Sequence, residues 1–241
     1  MIIFKWRFRP TVRATFITIA GFIFFVSLGL WQLERANYKD RIEQKFESRL
    51  EADYRQMDIS RELSDIEFQK LKLPGRYDLS RTMLLDNQIY HGQAGYHVLS
   101  PFVLSGGKDI LLVNRGWVAL GGSRETLPSI EKPLSDGIVR GIASIPGEDI
   151  YRMGSISLQD NWPQVIPFVD IETMQTQFDG KLLPLILWLG PDQAGHYQRE
   201  WNPVWAKPEK SRAYAWQWFS FALISLILYL VLNLRDDNGK Q

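Results

Sequence analysis

The sequence predicts a membrane α+β protein, in which two transmembrane helices flank an antiparallel β-rich domain, either a sheet or a small barrel. Three observations carry that prediction. A charge-free apolar stretch lies near each end of the 241-residue chain. The residues between them form short apolar runs set off by glycine and proline turns, the pattern of strands joined by tight loops. The mean hydropathy of −0.18 averages these two populations and describes neither.

Residues 1–13 form a basic tail with Lys5, Arg7, Arg9 and Arg13 and no acid. The first span follows over 14–33, with "TFITIAGFIFFVSLGLWQL" at its heart. About 20 apolar residues in helix cross a hydrocarbon core of roughly 30 Å, and this segment is long enough. A secretory signal is the rival reading. The apolar run exceeds the ~7–15 residues of a signal core, and it ends in Trp31-Gln32-Leu33 without a small-x-small cleavage site. An uncleaved anchor is the better reading. The second span covers 214–234, "YAWQWFSFALISLILYLVLNL", ahead of a short tail at 235–241.

Two spans place both termini on one side of the membrane and residues 34–213 on the other. Basic residues flank the first span on both sides, since Arg35, Lys39, Arg41 and Lys45 follow it. The local count is therefore tied. Long translocated domains largely escape the positive-inside rule, which favours a central domain outside the cytoplasm. Trp31 and Gln32 close the first span, and Tyr214, Trp216, Gln217 and Trp218 open the second. At one membrane face these amphipathic groups form an aromatic belt, extended by Trp201 and Trp205. The two glutamines could pair across the helices or meet a third membrane protein.

From Glu34 the first helix continues, because Tyr38, Ile42, Phe46 and Leu50 recur at every fourth position. "ADYRQMDISRELS" loses that period and reads as a loop. "FQKLKLPGRYD" alternates and then turns at Pro74-Gly75. "TMLLDNQI" closes near "HGQAG". "YHVLSPFVLS" and "DILLVNRGWVAL" read as a hairpin about Gly106-Gly107, and the latter run ends at Gly121-Gly122. "GIVRGIASI", "QVIPFVDI" and "PLILWLG" are further strands, and "IETMQTQFD" is one short helix. "REWNPVWAKPEKSR", with two prolines, reads as an extended link.

Composition excludes several chemistries. There are no cysteines, which removes disulfides, thiolate metal sites and thiol catalysis. A net charge of +1 gives no footprint for nucleic acid. His91, His97 and His196 have no metal-ligand spacing. Ser100, Ser105 and Ser123 lie at no nucleophile elbow, and "SGGKD" is too short for a phosphate loop. No catalytic residue and no metal site is assigned. The unusual polar cluster is "NRGW". Arg115 in an apolar run needs a partner. Trp117, two residues on, shares its strand face and could stack on it, or Asp86 or Asp109 could pair with it. Arg115, Gly116 and Trp117 are alternatively a partner-binding patch.

Four segments in order, "LGLWQLERANYK" at 28–39, "GYHVLSPF" at 95–102, "LVNRGWV" at 112–118 and "YAWQWFSFA" at 214–222, resemble the surfeit locus protein 1 family. The resemblance covers nearly the whole chain. It implies a non-enzymatic membrane assembly factor for haem-copper cytochrome c oxidase, assisting maturation or haem a insertion into subunit I. The implied partners are that subunit, other oxidase assembly factors and membrane lipid. A membrane-anchored periplasmic adaptor for another inner-membrane complex is the alternative. The resemblance also implies a periplasmic domain with both termini cytoplasmic. No transit peptide precedes the first span, so the bacterial inner membrane is expected.

Many relatives carry an Asn-Asn-His stretch before the second span, and that His is the proposed haem a ligand. Here the corresponding residues are Glu209, Lys210 and Ser211. Haem iron takes His, Cys, Met or Tyr, and within the spans only Tyr214 and Tyr229 belong to that set. The expected partner-binding or haem-proximal residues are Gly29, Trp31, Gln32, Tyr214, Gln217 and Trp218 in the membrane, with Arg115, Gly116 and Trp117 outside it.

Overall fold

A computed structural model describes residues 6–56, 65–121, 126–131, 136–146, 156, 158, 161–193, 195, 197–203 and 207–236. Gly122, Ser123, His196 and Trp205 lie outside these residues. The chain divides into two compact units, Met1–Lys45 with Pro203–Gln241, and Phe46–Asn202.

Among the described residues, the first unit holds two short strands and most of two long helices. β1 (Trp6–Phe8) precedes α1 (Val12–Leu50), an unbroken helix of 39 residues. In the second unit come β2 (Lys70–Tyr77), a 3-10 turn (Leu79–Arg81), β3 (Met83–Tyr90), β4 (Gln93–Leu104), β5 (Ile110–Ala119), β6 (Asp136–Ser144), β7 (Gln164–Ile166), α2 (Ile171–Gln175) and β8 (Leu182–Leu189). The chain returns to the first unit as α3 (Pro208–Asn233) and β9 (Leu234–Asp236).

Both long helices are apolar enough to cross a membrane. In their most apolar windows only 6% of α1 and 11% of α3 is buried, so the apolar side chains point outward as lipid-facing ones must. α1 reaches Leu50, as the four-residue recurrence predicts, and Phe46 is buried against Phe68. α3 starts earlier than the apolar run does. Pro208 sits at its first turn, where a missing N–H costs nothing, so Glu209 to Arg212 are helical rather than an extended link.

The β-rich unit is a closed barrel. β2, β6, β8, β5 and β4 are hydrogen-bonded in that order, and β2 also pairs with β4. The ring is antiparallel except where β5 runs parallel to β8. β3 and then β7 extend from β4 outside the ring. Closure depends on Pro74-Gly75, read from the sequence as a turn. β2 instead runs through it, pairing with β6 over Lys70–Arg76 and with β4 over Gly75–Tyr77. A Cβ at Gly75 would overlap the Val103 carbonyl and the Phe102 ring, so only glycine lets the two backbones come this close. The hairpins follow the glycine signals. His91-Gly92 joins β3 to β4 with both φ angles positive, and Gly106 (φ 91°) helps join β4 to β5.

Alternation fills the barrel. Leu71 and Leu73 of β2, Phe102 of β4, Leu111 and Val113 of β5, and Leu183, Leu185 and Leu187 of β8 form its core. The opposite face of β5 and β8 (Leu112, Leu182, Ile186) is covered by Phe168, Met174 and Phe178 from α2 and its flanks. Burial on both faces explains why β5 and β8 read as continuous apolar runs.

Candidate functional site

In the helix pair, contacts occur at three levels. At one end the Tyr229 hydroxyl lies 2.6 Å from that of Thr15, which itself donates to the Thr11 carbonyl, so Tyr229 is the donor. Between the ends Phe25 stacks on Trp218 with centroids 6.0 Å apart, and Gly29 is buried beneath Phe219. A Cβ at Gly29 would collide with that ring, so the glycine permits the close approach that helices in lipid use for contact. At the far end Lys39 Nζ donates to Ser211 Oγ at 3.1 Å, and Asp40 pairs with Arg212.

The belt residues divide in two. Trp218 packs on Phe25 and Phe221, whereas Trp31, Tyr214 and Trp216 are exposed by 51%, 44% and 71%. Arg35 lies over the Trp31 ring at 5.7 Å. Gln32 is half-buried and Gln217 exposed, and among the described residues the two amides do not bond each other. Trp201 belongs to the second unit, stacked on Trp188 at 5.5 Å with its indole N–H on the Leu189 carbonyl.

In the barrel unit, Asn114, Arg115 and Trp117 are all buried. The expected stack of Arg115 on Trp117 does not form. Between His97/Trp117 and Leu99/Asn114 the β4–β5 register shifts, and Gly116 takes φ 125° there. This bulge breaks the simple alternation that put residues 115 and 117 on one face. Trp117 instead lies against Tyr90 and donates its indole N–H to the Gln88 carbonyl at 3.0 Å. A Cβ at Gly116 would press on the Gln198 carbonyl, which accepts from the Trp117 N–H.

Arg115 continues the inward row of Leu111 and Val113 and is 3% exposed. Its guanidinium lies 5.0 Å from the Tyr197 ring centre, donates to the Glu131 carbonyl at 2.6 Å and reaches Ser100 Oγ at 3.5 Å. Neither Asp86 nor Asp109 pairs with it. Burial pushes its pKa down. Burial also raises the Tyr77 hydroxyl to about 12. Arg199 then locks the segment after β8, donating to the carbonyls of Arg115 (2.8 Å), Gly190 (3.2 Å) and Gln193 (2.5 Å). His97 sits with Trp201, centroids 5.6 Å apart, and burial lowers its pKa to about 4. His91 is exposed, 3.6 Å from Glu200.

Residues 19–223 match the SURF1 family, a stretch that includes most of both apolar helices and the whole barrel. The chain belongs to the SURF1 family. A SURF1-like protein of Dictyostelium discoideum is 36% identical over 102 residues, 38% of this chain and 37% of that protein. A SURF1-like protein of Monosiga brevicollis is 21% identical over 230 residues, 88% of this chain and 84% of its own length. The chain thus aligns with little more than a third of the Dictyostelium protein and with most of the Monosiga one.

Sequence reasoning missed Asp40 with Arg212 and Thr15 with Tyr229, polar residues at the edges of the spans whose partners come from the other helix. It also missed Tyr197 as the aromatic partner of Arg115.

Proposed function

We propose that this chain is a non-enzymatic, two-pass membrane assembly factor for haem-copper cytochrome c oxidase. The observation that carries the reading is the family match, because it spans helix, barrel and helix together. Membership of the SURF1 family supports a role in cytochrome oxidase assembly. The finer reading is that the helix pair holds subunit I during maturation, alongside other assembly factors and in contact with lipid. Exposed Trp31, Tyr214 and Gln217 favour it, since a polar amide that finds no mate within the pair is suited to one in a client helix. The proposed setting is a bacterial inner membrane, with both termini cytoplasmic and the barrel periplasmic.

Haem a would be cargo for such a factor, and the helix pair offers it no histidine, with Tyr214, 44% exposed, as the span tyrosine left open. Ser211 stands at the position of the relatives' histidine, is buried, and accepts from Lys39. Tyr229 is engaged with Thr15. Haem a insertion is therefore proposed as an outcome that this factor assists through its client, with no step assigned to a ligand on these helices. Deleting the gene and measuring oxidase activity together with haem a per oxidase subunit tests the role. Both should fall, and Gln217→Leu should restore them only in part. An unchanged oxidase after deletion would remove the proposal.

A further inference from the structure

Beside the barrel's buried arginine lies a cleft of about 330 Å³. Its lining includes Arg115, Thr82, Ser80 and Glu131 together with the apolar Leu79 and Trp162. Buried guanidinium groups normally face a carboxylate, because an unpaired charge away from water is costly. The groups in direct contact with Arg115 are neutral (a hydroxyl, a main-chain carbonyl and a tyrosine ring), and the Glu131 carboxylate acts on it only at longer range. Among the described residues no carboxylate lies within ion-pair distance of it. Thr82, 5% exposed, extends the polar group, since its hydroxyl lies 3.2 Å from that of Ser100, the residue Arg115 also reaches.

We infer that this cleft binds a small organic monocarboxylate, its charged end on Arg115 and Thr82 and its apolar body against Trp162 and Leu79. The fork of an arginine matches two carboxylate oxygens, and such charge-assisted bonds are the strong ones. One arginine and one carboxylate, Glu131, line the cleft, so its net charge opposes a dianion such as phosphate more strongly than a monoanion. The volume, near the lower end of about 300–1,000 Å³ for ligand sites, selects a small body. The inference is independent of the oxidase role.

Calorimetry on the full chain in detergent tests it, with 3-phenylpropionate compared against 3-phenylpropionamide and inorganic phosphate. The acid should bind at least about tenfold more tightly than the amide, a ratio that reads the charge alone. Equal binding of acid and amide, tighter binding of phosphate, or no heat from any acid up to about 10 mM would each overturn the site. Arg115→Gln should abolish the preference for acid over amide. Since that variant could fail to fold, Thr82→Val supplies a milder one, expected to weaken the acid severalfold and leave the amide unchanged. A Gly-Gly-Phe tripeptide with a free or an amidated C-terminus separates the sources. Binding of the free form as tightly as the acid assigns the site to polypeptide termini. Binding of the acid alone assigns it to free small acids.

Discussion

Leucine does opposite jobs in the two units of this chain. In α3, Leu223, Leu228 and Leu232 are 58%, 52% and 75% exposed, whereas Leu183, Leu185 and Leu187 of β8 are all at 0%. Apolar residues in the barrel hold the structure by being removed from water. On the helix pair they match the surrounding lipid, and specific contact falls to a glycine, a few rings and polar rungs at the ends. Composition alone cannot tell these roles apart. Length of run and the presence of glycine turns can.

The sharpest way to break this contrast is a pair of truncations. Leu187→Ala should cost about 2–5 kcal/mol of barrel stability, as for other buried leucines. Leu223→Ala should change unfolding in detergent by less than about 0.5 kcal/mol, the scale of exposed substitutions. Equal costs in chemical denaturation would end the comparison.

A second test uses pH, to which the barrel unit should respond through His97. Its folded pKa of about 4 lies below the unfolded value of 6.5, so the unfolded chain binds the proton more readily. That contribution is fully present above pH 6.5 and is lost as pH falls toward 4, by up to about 3 kcal/mol. His97→Phe should flatten the stability profile between those values. A profile equally steep in the variant would assign the slope to other groups.

The smallest effect is expected in the helix pair. Tyr229→Phe removes one hydrogen bond to Thr15, which keeps its own bond to the Thr11 carbonyl. A loss of about 0.6 kcal/mol in helix association is expected, the average for such bonds in membranes. A loss above about 2 kcal/mol, measured by interhelical energy transfer in detergent, would show that the end rungs dominate the pair.

Much of this architecture was legible in the residues. Charge-free runs of bilayer length gave the helices, and the glycine signal at 106–107 gave the β4–β5 hairpin, because both are local properties of the chain. What escaped was non-local or dual in meaning. Pro74-Gly75 is a turn signal by composition, yet β2 uses it to pass between two neighbouring strands. Pro208 signals a break and also a helix start, and only the start is used. The same limit applied to Arg115. Its row on β5 was readable, but the bulge at Gly116 and the arrival of Tyr197 depend on pairings far along the chain. The aromatic and amide residues at the span ends were readable as residue types, while the contacts that Arg115 makes were not.

Because β2 touches both β6 and β4, the ring has no first or last strand to leave open amides for a stranger. Among the described residues, the barrel sheet ends at β3 and at β7, which is three residues long and pairs only with Met83, Leu84 and Leu85 of β3. Such a stub gives a passing extended chain too few rungs to grip, so at β7 the sheet is guarded against templated stacking by shortness alone.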